Sequence, residues 1–314
     1  MVSKIPQVFP YFGGKRRVAA EVWRRFGVVD GYLEPFSGSL AVALANPHPE
    51  ALKSETVNDL NGFICNFWRS VAAQPEAVAR AADWPVNQID LTARHKWLRE
   101  QRSDLAAALA ADMNHCDPQV AGVWVWGLSQ WIGSGFCKTP RPDTRPHLGH
   151  HGMGVHSLGQ RPHLGDRGLG GFYDLYRRLA IRLRMTRVAC CDWSSLKSAL
   201  HNDAAAWGLF LDPPYTAESG RDPSLYSPAG DDSGHLTLGH EVATWAIGLS
   251  EERPEVKIAL CGIEGEYPIP KTWARFHWGT SGYSYGGRAR CEVIWFSPSC
   301  ADSSKQASLF AVTT

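Results

Sequence analysis

The run Leu209-Phe210-Leu211-Asp212-Pro213-Pro214-Tyr215 constrains this chain more than any other segment. Its apolar residues, Leu209 to Leu211, read as a buried strand that two consecutive prolines bring to an end. Proline has no N–H to give to a sheet, so the carbonyls of Asp212 and Pro213 can face outward. A strand that stops on an acid suits an open α/β sheet, where ligands gather at the carboxyl ends of the strands. A carboxylate, a free carbonyl and an aromatic ring fit an exocyclic amine on a flat base. The two acceptors take its N–H groups, and Tyr215 stacks on the ring.

The sequence on either side supports such a sheet. Val18, Ala19, Val22, Trp23 and Phe26 recur at helical spacing after the Gly13-Gly14 turn. Tyr32 to Glu34 reads as a strand ending on an acid, followed by a Ser/Gly turn and an expected helix from Leu40 to Asn46. Ser54 to Val57 reads as a second strand ending at Asn58-Asp59, with a helix through Phe63, Ile64, Phe67 and Trp68. Strand-like sequence returns at Arg187–Cys191, Trp207–Leu211, Val256–Leu260, Ala274–Trp278 and Cys291–Phe296, with a helix expected over Gly239–Leu249.

Between the two halves the texture changes. Pro75–Ala82, Thr92–Met113 and Pro118–Ile132 look helical, and Trp124, Trp126 and Trp131 read as core. Residues 133–168 lack periodicity and are rich in Gly, Pro, His and Arg. Within them Arg145-Pro146-His147-Leu148-Gly149 returns as Arg161-Pro162-His163-Leu164-Gly165. A loop that long inside a compact domain is usually functional or disordered. The expected division is a discontinuous domain of residues 1–69 plus 186–298, an insert of 70–185, and a flexible tail of 299–314.

Composition narrows the setting without naming a partner. With 44% hydrophobic and 20% charged residues the chain carries a real core, and a net charge of +1 leaves any nucleic-acid argument to local patches. The 8 cysteines form no CxxC pair, which fits a reducing cytoplasm better than a disulfide framework or a zinc ribbon. No leader is read in Met1 to Pro6, and no apolar run approaches the roughly 18 residues of a membrane span. A cytoplasmic protein is expected.

Four motifs stand in order: Tyr11-Phe12-Gly13-Gly14-Lys15, Glu34-Pro35-Phe36-Ser37-Gly38, Asn58-Asp59-Leu60-Asn61 and Asp212-Pro213-Pro214-Tyr215. Together with Cys191-Asp192-Trp193, this set resembles the Dam-like, alpha-group adenine-N6 DNA methyltransferases. The resemblance spans about residues 8–70 and 186–298. It implies a Rossmann-like S-adenosylmethionine-dependent methyltransferase domain with a mainly helical insert carrying a long recognition loop. Tyr11, Gly13 and Lys15 would meet S-adenosylmethionine near its methionine end, with Glu34, Phe36 and Gly38 lining the same pocket. Asp59 would hold the ribose, and Asp192 with Trp193 would flank the adenine of the cofactor. Asp212, Pro213, Pro214 and Tyr215 would be catalytic, Asp212 lying between cofactor and target. Leu40 departs from the pattern, standing where family members often carry a second glycine.

The implied reaction is methyl transfer to N6 of a flipped adenine in a specific DNA sequence, with no metal. Cytosine-N4 methylation uses the same amine geometry, and Asp before Pro-Pro-Tyr favours adenine. A catalytically idle DNA-binding or clamp-associated accessory is the alternative from another class, and Lys15, Asp59 and Asp212 speak against it. Lys138, Arg141, Arg145 and Arg161 in the insert, with Arg221 beyond the tetrapeptide, are the expected DNA contacts. Other basic residues gather at Lys15-Arg16-Arg17 and at Arg177, Arg178, Arg182 and Arg184. His147, His150, His151, His156 and His163 match no standard zinc spacing. Gln306-Ala307-Ser308-Leu309-Phe310 resembles the short peptides that dock on the bacterial replication sliding clamp; Gln306, Leu309 and Phe310 would be its anchors.

Overall fold

The computed structural model describes residues 5, 8–9, 11, 14–85, 87–131, 136–137, 168–200, 206–214, 235–278 and 292–300, and the side chains of 168–172 and 235–236 are not among them. These residues form a mixed α/β fold around a seven-stranded sheet. The strands are β1 (Gly31–Glu34), β2 (Ser54–Asn58), β3 (Thr186–Ala189), β4 (Trp207–Leu211), β5 (Lys257–Ile263), β6 (Ala274–Trp278) and β7 (Glu292–Phe296). Their spatial order is β3-β2-β1-β4-β5-β7-β6. The pairs from β3 to β5 are parallel, and β7 runs antiparallel to both β5 and β6. The arrangement is that of a Rossmann-like methyltransferase.

The helices are α1 (Ala19–Phe26), α2 (Gly62–Ala73), α3 (Pro75–Ala82), α4 (Gln88–Ala111), α5 (Pro118–Gln130), α6 (Gly168–Leu183) and α7 (His235–Glu252). Side chains on a strand alternate between faces, and β4 divides accordingly. Leu209 and Leu211 pack with Val242, Ala243 and Ala246 of α7, whereas Phe210 joins the core that holds Val22, Trp23 and Phe26 of α1. Every residue of β4 is buried. That is why its sequence is a continuous apolar run rather than an alternating one. Gly31 opposes Trp207 across β1 and β4, and a Cβ there would come within 2.6 Å of the indole ring.

The helical region shares its core with the sheet. Phe9 packs edge-on against Phe67 of α2 at 5.4 Å and Trp124 of α5 at 5.2 Å, and Phe67 meets Tyr176 of α6 at 6.1 Å. Asn66 and Asp117 exchange hydrogen bonds of 2.8 and 2.7 Å, locking α2 to the start of α5. Asp117 also caps α5 through the Val120 N–H, and Pro118 follows at the first helical position. Trp124, Trp126 and Trp131 are all buried.

Two local expectations change. The helix expected over Leu40–Asn46 is a single 3-10 turn, Ala43–Ala45. Leu40 takes a left-handed conformation (φ 53°), and Asn46 precedes Pro47, so neither end is free to continue a helix. Conversely, α6 was hidden by the glycines at its start, although Leu175, Leu179 and Leu183 recur every fourth residue and are buried. Residues 133–135, 138–167 and 215–234, and the tail from 301, lie outside the described residues. The expected DNA contacts Lys138, Arg141, Arg145, Arg161 and Arg221, the loop histidines and the peptide Gln306, Leu309 and Phe310 all fall there. So do Gly13 and Tyr215.

Candidate active site

The sheet reverses its winding between β1 and β4: β2 and β3 extend one way from β1, while β5, β7 and β6 extend the other way from β4. Crevices at such a switch point are where open α/β sheets receive ligands. Both strands end on an acid here, Glu34 at the tip of β1 and Asp212 just past the tip of β4.

On the β1 and β2 side the backbone is tightly held. Asn58, only 2% exposed, donates from Nδ2 to the carbonyls of Pro35 (3.0 Å) and Cys191 (3.1 Å) and accepts the Cys191 N–H (3.0 Å). One amide thereby ties together the chain leaving three neighbouring strands. Asp59 accepts the Gly38 N–H at 3.0 Å and the Asn61 N–H at 2.8 Å. Trp68 Nε1 donates to the Gly38 carbonyl at 3.0 Å. Gly38 itself has φ +46°, and an added Cβ would lie 2.4 Å from the ring of Tyr11. The glycine is needed twice, for its conformation and for the aromatic ring laid on it.

Burial raises the Glu34 carboxyl to about 8, although it accepts the Tyr32 hydroxyl at 2.8 Å and the Ala43 N–H. Asp59 is likewise pushed up to about 6 by desolvation, against the pull of its N–H donors. At neutral pH the β1 tip therefore favours a protonated acid and the β2 tip a carboxylate. Phe36 is half-buried, its ring 6.3 Å from that of Trp193. Asp192 caps the 3-10 helix Trp193–Ala199 through the Ser194 N–H, and Trp193 packs on Trp245 of α7 at 5.4 Å.

On the β4 side the deciding contact is ionic. Lys15 Nζ lies 2.7 Å from Asp212 Oδ2, with side-chain exposures of 5% and 19%. The ammonium also lies 5.7 Å from the centre of the Trp278 ring. Burial alone would lower the Lys15 pKa, but Asp212, Cys261 and Glu292 together outweigh it and raise the value. The lysine is a fixed cation at the sheet edge. Pro213 is buried and Pro214 half-buried, so the tetrapeptide is anchored where it leaves the sheet.

Residues 11–102 match the family model of D12 class N6 adenine-specific DNA methyltransferases. That span holds the first three motifs, and the chain is similar there to a family that methylates adenine N6 in DNA and generally uses S-adenosylmethionine. The Dam-like resemblance drawn from the motifs agrees with this match. No curated protein matches the chain. Among the described residues no helix is long and apolar enough to cross a membrane.

The structure brings Tyr11, Lys15, Glu34, Gly38, Asp59 and Asp212 to one edge of the sheet, and it also supplies residues that motif reading missed. Asn58 enters the sequence reading only as the first letter of a motif; its place directly after the expected strand Ser54–Val57 is the available signal. Glu292, 2% exposed at the start of β7, carried no sequence signal beyond an acid opening an apolar strand. Arg182, counted among the basic residues, is spent internally. It forms paired contacts of 2.6 and 2.7 Å with Glu55 and donates to the Ala43 carbonyl. Arg177 is paired with Glu76 at 2.9 Å.

Proposed function

We propose that this chain transfers the methyl group of S-adenosylmethionine to the N6 amino group of a flipped adenine within a specific DNA sequence. The observation that carries the reading is the buried Lys15–Asp212 pair at the switch point of the sheet, directly ahead of Pro213-Pro214-Tyr215. The residues present suit the cofactor. Tyr11 lies directly on Gly38, where any Cβ would meet its ring at 2.4 Å, so the glycine keeps an aromatic face beside the strand tips. Asp59 offers a carboxylate suited to ribose hydroxyls, and Glu34, Phe36, Asp192 and Trp193 surround the same strand tips. Lys15 joins this set through Asp212.

When bound, S-adenosylmethionine would supply an electrophilic methyl group on a sulfonium sulfur. The protein's task is to present a nucleophile. An adenine amine delocalises its lone pair into the ring; accepting its N–H groups on Asp212 and the Pro213 carbonyl localises that pair toward nitrogen. Holding the amine in line with the methyl group removes an orientational cost. Asp212 needs only to accept hydrogen bonds, because the amine sheds a proton after it is alkylated. Base extrusion costs a few kcal/mol, offset by stacking on Tyr215.

In this reading residues 1–69 and 186–298 form the catalytic domain, and residues 70–185 carry target recognition, with Lys138, Arg141, Arg145 and Arg161 in the insert and Arg221 beyond it as contacts to DNA. Docking on a sliding clamp through Gln306, Leu309 and Phe310 rests on that peptide alone. The deciding experiment is incubation of wild-type protein with DNA and labelled S-adenosylmethionine, followed by nucleoside analysis and modification-sensitive sequencing. N6-methyladenine in one sequence context is the expected product. N4-methylcytosine, or no labelled nucleoside, would overturn the proposal.

A further inference from the structure

Phe136 and Cys137 are seated on the helical insert by matched groups of α4 and α5. The Phe136 ring lies 5.3 Å from that of Trp131 and 5.6 Å from that of His95, which is itself stacked on Trp131 at 4.7 Å. Gly127 of α5 makes the room: a Cβ there would come within 2.2 Å of the Phe136 ring. Cys137 is 1% exposed and takes a left-handed conformation (φ 61°), which a residue with a side chain holds only where its surroundings impose it. Both polar groups of its backbone are claimed by α4. Its N–H donates to Nδ1 of His95 at 3.2 Å, and its carbonyl accepts from the guanidinium of Arg102. Burial, with Arg99 and Arg102 alongside, lowers the His95 pKa to about 4. At neutral pH the ring is therefore uncharged, and Nδ1 can accept.

Arg102 also reaches α2. Its guanidinium carbon lies 5.8 Å from the centre of the Phe63 ring, in the first turn of that helix. Phe63 is 3% exposed; its N–H donates to the Asn61 side chain, and the Asn61 N–H donates to Asp59. One side chain of the insert thus connects the Cys137 carbonyl to the turn that follows β2. That carbonyl belongs to the peptide leading into Lys138, the first of the expected DNA contacts. The geometry points to Arg102 as a positioning residue for target recognition: with His95 it grips Cys137 and fixes where the recognition segment begins relative to the tip of β2. The inference rests on the methyltransferase reading and adds to it a physical link that registers DNA against the cofactor pocket.

The experiment separates recognition of DNA from binding of the cofactor, using the full-length protein. Arg102→Met keeps an apolar stem beside Phe63 and removes the donors to Cys137. The ratio of kcat/KM on the preferred DNA site to that on sites with one base changed should fall by about tenfold or more, because a small displacement of a contacting segment is enough to lose alignment. The Kd for S-adenosylmethionine should stay within about twofold of wild type, since no group of the pocket is removed. Arg102→Lys, which keeps the charge without the planar fork, should fall between the two. In protein without DNA, His95→Phe keeps a ring on Trp131 and removes the acceptor. Hydrogen exchange of the Cys137 amide should then speed up by about tenfold or more.

A folded Arg102→Met with unchanged discrimination overturns the inference. A loss of cofactor affinity in step with discrimination also overturns it, since that marks a general loosening of the fold. Equal exchange of the Cys137 amide in wild type and His95→Phe would remove the grip itself. Should Arg102→Met not fold, the discrimination ratio in His95→Phe decides by the same split. Wild-type protein that methylates no DNA would take away the methyltransferase reading and with it the role given to Arg102. The Cys137 amide would then still exchange as a held group, which tells the two failures apart.

Discussion

Two buried ion pairs flank the sheet, and they are built differently. Arg182–Glu55 lies between α6 and β2 and is forked: the two terminal guanidinium nitrogens meet both carboxylate oxygens, Ala43 accepts a further bond, and Thr186 donates to Glu55. Lys15–Asp212 is an ammonium–carboxylate contact of 2.7 Å at the carboxyl end of β4. A planar fork set against both oxygens of its partner fixes the geometry between two elements. An ammonium is a point charge that fixes no such plane. The fork joins α6 to β2, whereas the ammonium pair stands where the proposed reaction would take place.

The largest effect should come from breaking the forked pair. Arg182→Ala leaves Glu55 buried without its cation and should lower unfolding free energy by about 3–5 kcal/mol, measured by denaturant titration. Methylation at a temperature where the variant remains folded should be retained. Asp212→Asn should show the opposite pattern, losing about 10²–10³-fold in kcat as one acceptor of the amine becomes ambivalent. Its stability should change less than that of Arg182→Ala, because Asp212 is partly exposed and the asparagine oxygen can still accept from the ammonium. Equal losses of stability in the two variants would erase the distinction.

Asn58→Ala tests whether the strand tips need their tie. It strands the Cys191 N–H and the Pro35 carbonyl, so a loss of about 1–3 kcal/mol is expected from thermal unfolding. Binding of the cofactor should weaken with it, read by calorimetry. The smallest effect is a slope. Glu34 is raised from 4.5 to about 8 in the folded protein, so the folded state holds a proton that the unfolded chain releases above 4.5. Its contribution to stability is fully present below about 4.5 and is lost as pH rises through about 8. The slope cannot exceed about 1.4 kcal/mol per pH unit for one proton. Glu34→Gln should flatten this part of the stability curve.

Much of this was legible in the residues. The strand before Asp212, the acids at the first two strand tips and the order of the motifs are local patterns of apolar runs, turns and caps. Helices α3 and α5 were likewise readable, because Pro75 and Asp117-Pro118 mark their starts. The failures had local causes too. Leu40 looked helical because a left-handed backbone leaves no trace in a leucine, and α6 was obscured by its leading glycines.

What the chain's sequence determined by itself is the chemistry available: a carboxylate at a strand end, a glycine where the backbone turns left-handed, a cationic side chain after a tight turn. Which of these groups meet was decided only by tertiary packing. Lys15 and Asp212 are far apart along the chain. Their encounter depends on the sheet order that sets β4 beside β1. Strand order is set by burial of both faces of the sheet, a summed effect of many side chains. No short motif encodes such a sum, so the same folding step that made the core also brought the charges together.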